Sequence, residues 1–304
     1  MKVKEVSEKE LLKRIDIIND DSELEEIVNN IRNVCIKLGA YSVESRIKSK
    51  KTAIESFRIN KKKAHVSMSS YKTIGMTNPS TVRSFECVDT VVDLLALRVI
   101  TNNANDLYKI KDYLLENYKP FIVIDLINEP LVGFEYRAIH MYFKIKTNDL
   151  YFDIPMEIQL KTYEMHHAWA GLHDMIYKNN KINLKDGCTL LPILFKIFEF
   201  NVRVLKNELN NCKVKIDFTG IDCIINYNKK LFKKYDNTIK KACFIMAKSI
   251  YYDKNNNSNI SENRLFEIFN NIIASNINRV ESPLHLYGNR SVEYATYCIA
   301  TNNF

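Results

Sequence analysis

Val91-Val-Asp-Leu-Leu-Ala-Leu-Arg-Val-Ile100 is a nearly continuous apolar run broken by one acid and one base. Such a run suits a strand buried on both faces, and that reading decides the fold. The residues after it keep to the theme. Their spacing predicts a helix at about 105–117 and strands at about 121–127, 137–146 and 151–161. One strand, a helix and three more strands indicate an α/β sheet domain.

Upstream the period is helical. Apolar residues recur through Leu11, Leu12, Ile15, Ile17, Leu24, Ile27, Ile31, Val34 and Leu38. Asn19-Asp-Asp-Ser22 divides this stretch, with Ser22 and Glu25 spaced as a capping box, and Gly39 is the expected stop. A basic helix is expected at about 49–62 and a loop at Gly75 to Ser80. Downstream, helical patterning covers 164–178, 189–210, 220–252 with a break, and 262–275. Asp253-Lys-Asn-Asn-Asn-Ser-Asn259 reads as a polar loop. The connector Asn179–Gly187 suggests a domain over 1–183 and a mainly α-helical C-terminal region over 184–304.

Composition narrows the function classes. Of 304 residues, 46% are hydrophobic and 26% charged, as in ordinary globular proteins. The apolar run Leu190–Phe195 stops at a lysine, short of a membrane span, and the first residues lack a signal peptide's apolar core. Seven cysteines without a Cys-x-x-Cys pair point to reduced thiols in a cytoplasmic protein, with no membrane partner. The net charge of +8 favours anionic partners. Between Arg46 and Lys63 there are eight Lys or Arg and one acid, Glu55, which reads either as a solvated helix face or as a polyphosphate or RNA contact.

The stretch Pro155–Lys178 concentrates polar residues. His166 and His173 are seven apart on a helix, separated by about 10 Å along its axis, as are His167 and Asp174. A zinc ion needs donors at about 2 Å, so a shared metal there is excluded. In Met156-Glu-Ile-Gln-Leu-Lys161, Glu157, Gln159 and Lys161 share one strand face. An exposed edge or the wall of a polar cleft would both give that alternation. Asp93, inside the apolar run, needs a partner if buried. It could pair with Arg98, or join Glu157 as a carboxylate pair suited to Mg²⁺.

These residues together resemble the RelA/SpoT alarmone synthetase domain. Arg46-Ile-Lys-Ser-Lys-Lys-Thr52, Asp93–Arg98, Tyr136-Arg-Ala-Ile-His140, Glu157-Ile-Gln-Leu-Lys-Thr162 and His167-Ala-Trp-Ala170 follow that family's motifs in order, over about 41–178. The resemblance implies a mixed sheet of the nucleotidyltransferase-like kind flanked by helices. It implies pyrophosphate transfer from ATP to the ribose 3′-hydroxyl of GDP or GTP, giving (p)ppGpp and AMP. Asp93 and Glu157 would hold Mg²⁺, and Glu157 would take the hydroxyl proton. Arg46 and Arg98 would sandwich adenine, with Lys48 and Thr52 on the triphosphate. Tyr136 would stack on the acceptor base, and His140, Gln159 and Lys161 would line the acceptor side. The His-Trp segment would be scaffold.

The sequence departs from the family's pattern at several places. Glu135 precedes Tyr136 where glycine is usual, Lys161 stands for arginine, and Ser56 replaces a lysine. No hydrolase-type His-Asp region is expected upstream, so synthesis without hydrolysis is the expectation. Two alternatives stay open: a toxin-branch enzyme modifying tRNA 3′ ends or adenine nucleotides, and a catalytically inactive nucleotide-binding or interaction protein. The C-terminal helices would suit a homo-oligomer interface, a regulatory cap or an antitoxin site.

Overall fold

The computed structural model describes residues 7–64, 91, 93–128, 136–148, 150–173, 182–209 and 227–255. The chain divides into two compact units, Met1–Leu131 with Arg137–Tyr163, and Val132–Tyr136 with Glu164–Phe304. The second cut falls inside the stretch expected as one domain over 1–183.

In the first unit, α1 (Glu8–Asn19) and α2 (Ser22–Lys37) lead into β1 (Ala40–Ile47) and α3 (Lys50–Ala64). Then come β2 (Leu95–Thr101), α4 (Ala104–Tyr118), β3 (Ile122–Asp125), β4 (Ile139–Ile145) and β5 (Ile154–Thr162). The strands form one sheet in the order β1-β2-β5-β4-β3. Only β2 and β5 run parallel; the other neighbours are antiparallel. This is the expected mixed sheet with flanking helices.

Alternation assigns the two faces, because residues paired across strands project to the same side. Leu95, Leu97 and Val99 share a face with Met156, Ile158, Leu160, Ile139, Met141 and Phe143. All are buried in one core with Leu107, Ile110 and Leu114 of α4 and with Leu11, Ile15, Ile18, Leu24, Val28 and Ile31 of α1 and α2. The helices thus cover the apolar side and leave the other side to polar chemistry.

Local details correct the sequence reading. The cap of α2 is Asp21, not Ser22: Asp21 Oδ1 accepts from the Leu24 amide at 2.9 Å. The same carboxylate accepts from Thr147 Oγ1 at 2.9 Å, tying the cap to the sheet unit. Gly39 does end the helical stretch. Its φ of +105° is open to glycine at little cost, and a Cβ there would lie 2.8 Å from Asp106 Cγ. Strand β1 was not anticipated. Asp93 was expected inside the strand, yet β2 begins at Leu95 and Asp93 sits in the turn before it. Its carboxylate therefore escapes full burial, with a side chain 20% exposed.

The second unit contains α5 (Tyr163–Leu172, from Glu164 onward), α6 (Leu184–Leu209), α7 (Lys229–Lys234) and α8 (Asp236–Asn255). At Gly171 a Cβ would lie 2.2 Å from the Ala242 carbonyl oxygen, so α5 and α8 touch through backbone. His167 Nδ1 meets Ser249 Oγ at 2.8 Å across the same pair of helices. Helix α8 extends through Asn255, so the first residues of the expected polar loop are helical. The loop expected at Gly75–Ser80 and the helix expected at 262–275 lie outside the described residues. No helix among the described residues is long and apolar enough to cross a membrane.

Candidate active site

On the face away from the core, three lateral rows collect the charged residues of the first unit. Arg46 of β1 pairs with Ala96, which pairs with Glu157, which pairs with Tyr142. Glu44, Arg98, Gln159 and His140 form the next row in the same way. Lys161 pairs with Ile100 in the row beyond. Five strand residues expected in the site, plus His140, therefore share one side of one sheet.

Glu157 occupies the middle of this face and is 1% exposed. Its Oε1 accepts from the Tyr142 hydroxyl at 2.5 Å and lies 2.8 Å from His140 Nδ1. Gln159 Nε2 donates to Oε2 at 2.9 Å. A buried carboxylate is costly unless donors surround it, and three side chains here supply them. Tyr142 escaped the sequence reading because a tyrosine in Ile139-His-Met-Tyr-Phe143 reads as core. The signal was its spacing of two from His140, which puts both on one face.

The edge of the face holds the basic residues. Lys48 Nζ donates to both oxygens of Asp93, at 2.7 and 2.6 Å, and to Ser56 Oγ at 3.0 Å. Arg46 Nη2 lies 3.8 Å from Asp93 Oδ2. The partners of Asp93 are thus Lys48 and Arg46, not Arg98. Ser56, which stands where a lysine was expected, anchors the Lys48 ammonium instead. Arg98 Nη1 donates to Glu44 Oε2 at 3.2 Å.

Arg46 and Arg98 are diagonal neighbours on antiparallel strands, a relation that spaces backbones by about 7–8 Å. Thr52 lies in the first turn of α3, where Ser49 Oγ is 3.4 Å from its amide and Ser49 O accepts from the Ala53 amide at 2.8 Å. Tyr136 belongs to the second unit, where its ring lies 4.7 Å from that of Trp169. Trp169 is also 6.2 Å from Phe195, the environment of a packing residue.

Residues 69–182 match the model for a region found in RelA/SpoT proteins. Residues 69–182 thus carry the region found in RelA/SpoT proteins. Among solved structures, it is similar to small alarmone synthetase 1 from Bacillus subtilis bound to its product pppGpp, at 21% identity. That match covers 58% of this chain and 84% of the other, with a TM-score of 0.37. A GTP pyrophosphokinase family protein from Streptococcus pneumoniae is 20% identical over 62% of this chain and 86% of its own, with a TM-score of 0.41. Small alarmone synthetase 2 from Bacillus subtilis is 19% identical over 62% and 94%, with a TM-score of 0.39. No curated protein matches the chain.

Mg²⁺ is held by one or two carboxylates, waters and substrate phosphates, and Asp93 and Glu157 are the carboxylates that would hold it here. Asp93 reaches Arg46, which stands in the same lateral row as Glu157. Among the described residues no group of three His, Cys, Asp or Glu side chains is placed to hold a metal ion.

Lys161 is 4% exposed, and burial lowers its ammonium to about 7. The Arg98 guanidinium adds to that shift and the Glu157 carboxylate opposes it. Below pH 7 the folded protein must bear the buried charge. Between about 7 and 10.5 the folded state has released a proton that the unfolded chain still holds, so stability rises with pH. Denaturant unfolding should show wild type gaining on Lys161→Met as pH is raised from 7 to 10. A gap independent of pH would contradict this placement of the amine.

Proposed function

We propose that this chain is a nucleotide pyrophosphokinase that moves pyrophosphate from ATP to the 3′-hydroxyl of a guanosine nucleotide, GDP or GTP. The observation that carries the reading is the polar sheet face. It sets a buried, triply hydrogen-bonded carboxylate, Glu157, in one row with Arg46 and next to the row of Arg98, Gln159 and His140.

Arg46 and Arg98 stack on adenine in this reading, since guanidinium planes stack on aromatic faces. Lys48 and the first turn of α3, with Thr52, supply positive potential for the phosphates. In the transfer, the acceptor oxygen bonds to the β-phosphorus while the bond from that phosphorus to the α,β-bridging oxygen breaks. AMP departs with that oxygen, and Glu157 takes the hydroxyl proton. Asp93 and Glu157 would hold Mg²⁺, which would supply neutralisation of the phosphate charge. His140, Gln159 and Lys161 line the acceptor side. Residues 1–183 are the synthetase module of this reading, and it works in the cytoplasm where ATP and GTP are supplied.

The test is an acceptor panel. Purified protein with Mg²⁺ and ATP labelled in the β- and γ-phosphates should transfer label to GDP or GTP and release AMP. Transfer to ADP or to bulk tRNA instead would replace the guanosine acceptor with that of the toxin branch. Absence of AMP release with every acceptor would leave a nucleotide-binding protein without the assigned chemistry.

A further inference from the structure

Glu157 is held by more than its own strand. Tyr142, on β4, is paired in register with Glu157 on β5, and its hydroxyl donates to Oε1 at 2.5 Å. Both residues are 1% exposed. The same hydroxyl lies 3.4 Å from His140 Nδ1, which itself reaches Oε1 at 2.8 Å, and the rings of His140 and Tyr142 are stacked with 13° between their planes. One oxygen of the carboxylate is therefore gripped by two groups from the neighbouring strand, and the other meets Gln159 from its own strand.

We infer that Tyr142 is a positioning residue that fixes the rotamer of Glu157, so that the carboxylate presents one constant edge to the reacting hydroxyl. This inference rests on the reading of Glu157 as the proton acceptor. The physical argument is rotational. A glutamate has three side-chain torsions, and a base that wanders loses the alignment on which proton transfer in a bound complex depends. A phenol is well suited to prevent that. It is rigid, it cannot lose its own place in the packed sheet, and its O–H donates to a charged acceptor in a site sheltered from water, where such bonds are short and strong. His140 and Gln159 reach one oxygen each, and the Tyr142 hydroxyl adds a second contact on Oε1 from the facing strand.

The experiment compares wild type, Tyr142→Phe and Glu157→Gln in AMP release from ATP, with the acceptor that the panel identifies. Rates are expressed per ATP-binding site, counted by titration with a non-hydrolysable ATP analogue, so that unfolded protein does not enter the rate. Tyr142→Phe keeps the ring and removes only the hydroxyl. It should lower kcat by about 10–100-fold, the usual effect of removing a group that orients a working ligand, and change the KM for ATP by less than about threefold.

An unchanged kcat, an equal loss in kcat and ATP affinity, or loss of all ATP-binding sites would each overturn the positioning role, the last two by making Tyr142 a packing residue. If Glu157→Gln retains full activity, the reading of Glu157 fails and the inference fails with it. If Glu157→Gln is inactive while Tyr142→Phe turns over like wild type, only the inference fails.

Discussion

Glu157→Gln should abolish turnover: AMP release at saturating ATP is expected to fall by about 10²–10⁴-fold, the range over which a positioned base contributes. The substitution keeps size and shape and removes only the charge and basicity. An amide can still accept from Tyr142 or Gln159, so the network on the sheet face need not collapse. Stability should hold as well, because a neutral group replaces a buried charge. The variant should therefore melt near the wild-type temperature and bind ATP while failing to release AMP. An active variant would mean that the proton leaves by another route, and the assignment of this face as catalytic would lose its centre.

The second large effect concerns the other unit and has nothing to do with chemistry. Gly171→Ala should destabilise that unit, even though alanine favours helix over glycine by about 1 kcal/mol. The added methyl would meet the Ala242 carbonyl oxygen at 2.2 Å and its carbon at 3.0 Å. Those are backbone atoms of α8, and backbone cannot swing aside as the tip of a lysine could. Helices α5 and α8 must move apart, loosening Leu172, Ala242 and Met246, all buried. Overpacking of this kind costs about 1–3 kcal/mol, sometimes more. A net loss of that order should lower the melting temperature by several degrees. Thermal unfolding followed by circular dichroism would show it, and a variant as stable as wild type would mean the helices are farther apart than described.

Much of the sheet was legible because its strands obey simple alternation. Met156-Glu-Ile-Gln-Leu-Lys161 announces one polar and one apolar side, and the structure puts the two sides where that pattern requires. Strand β1 was hidden for the opposite reason. Its residues Ala40-Tyr-Ser-Val-Glu-Ser-Arg-Ile47 are mostly half-buried or exposed, as befits an edge strand, so no apolar period marks them. The basic run that follows drew attention to helix instead.

Asp93 was misplaced by two residues because the apolar run of 91–100 continues through a turn that hydrophobicity alone does not reveal. Its link to Lys48 spans 45 positions and could be seen only once β1 was known to pair with β2. Register, rather than residue type, was the missing information.

The place of β5 in the sheet has a consequence for how the protein is made. It is the last strand in the chain and the middle one in space, joined to β2 on one side and β4 on the other. Until it leaves the ribosome, the growing chain can form only two separate ribbons, β1 with β2 and β4 with β3. Two-stranded ribbons are at best marginally stable in water. At about 5–20 residues per second, the interval between completing β2 and starting β5 is roughly 3–10 seconds. During that interval Arg46 and Arg98 of the first ribbon exist without Glu157 of β5 beside them.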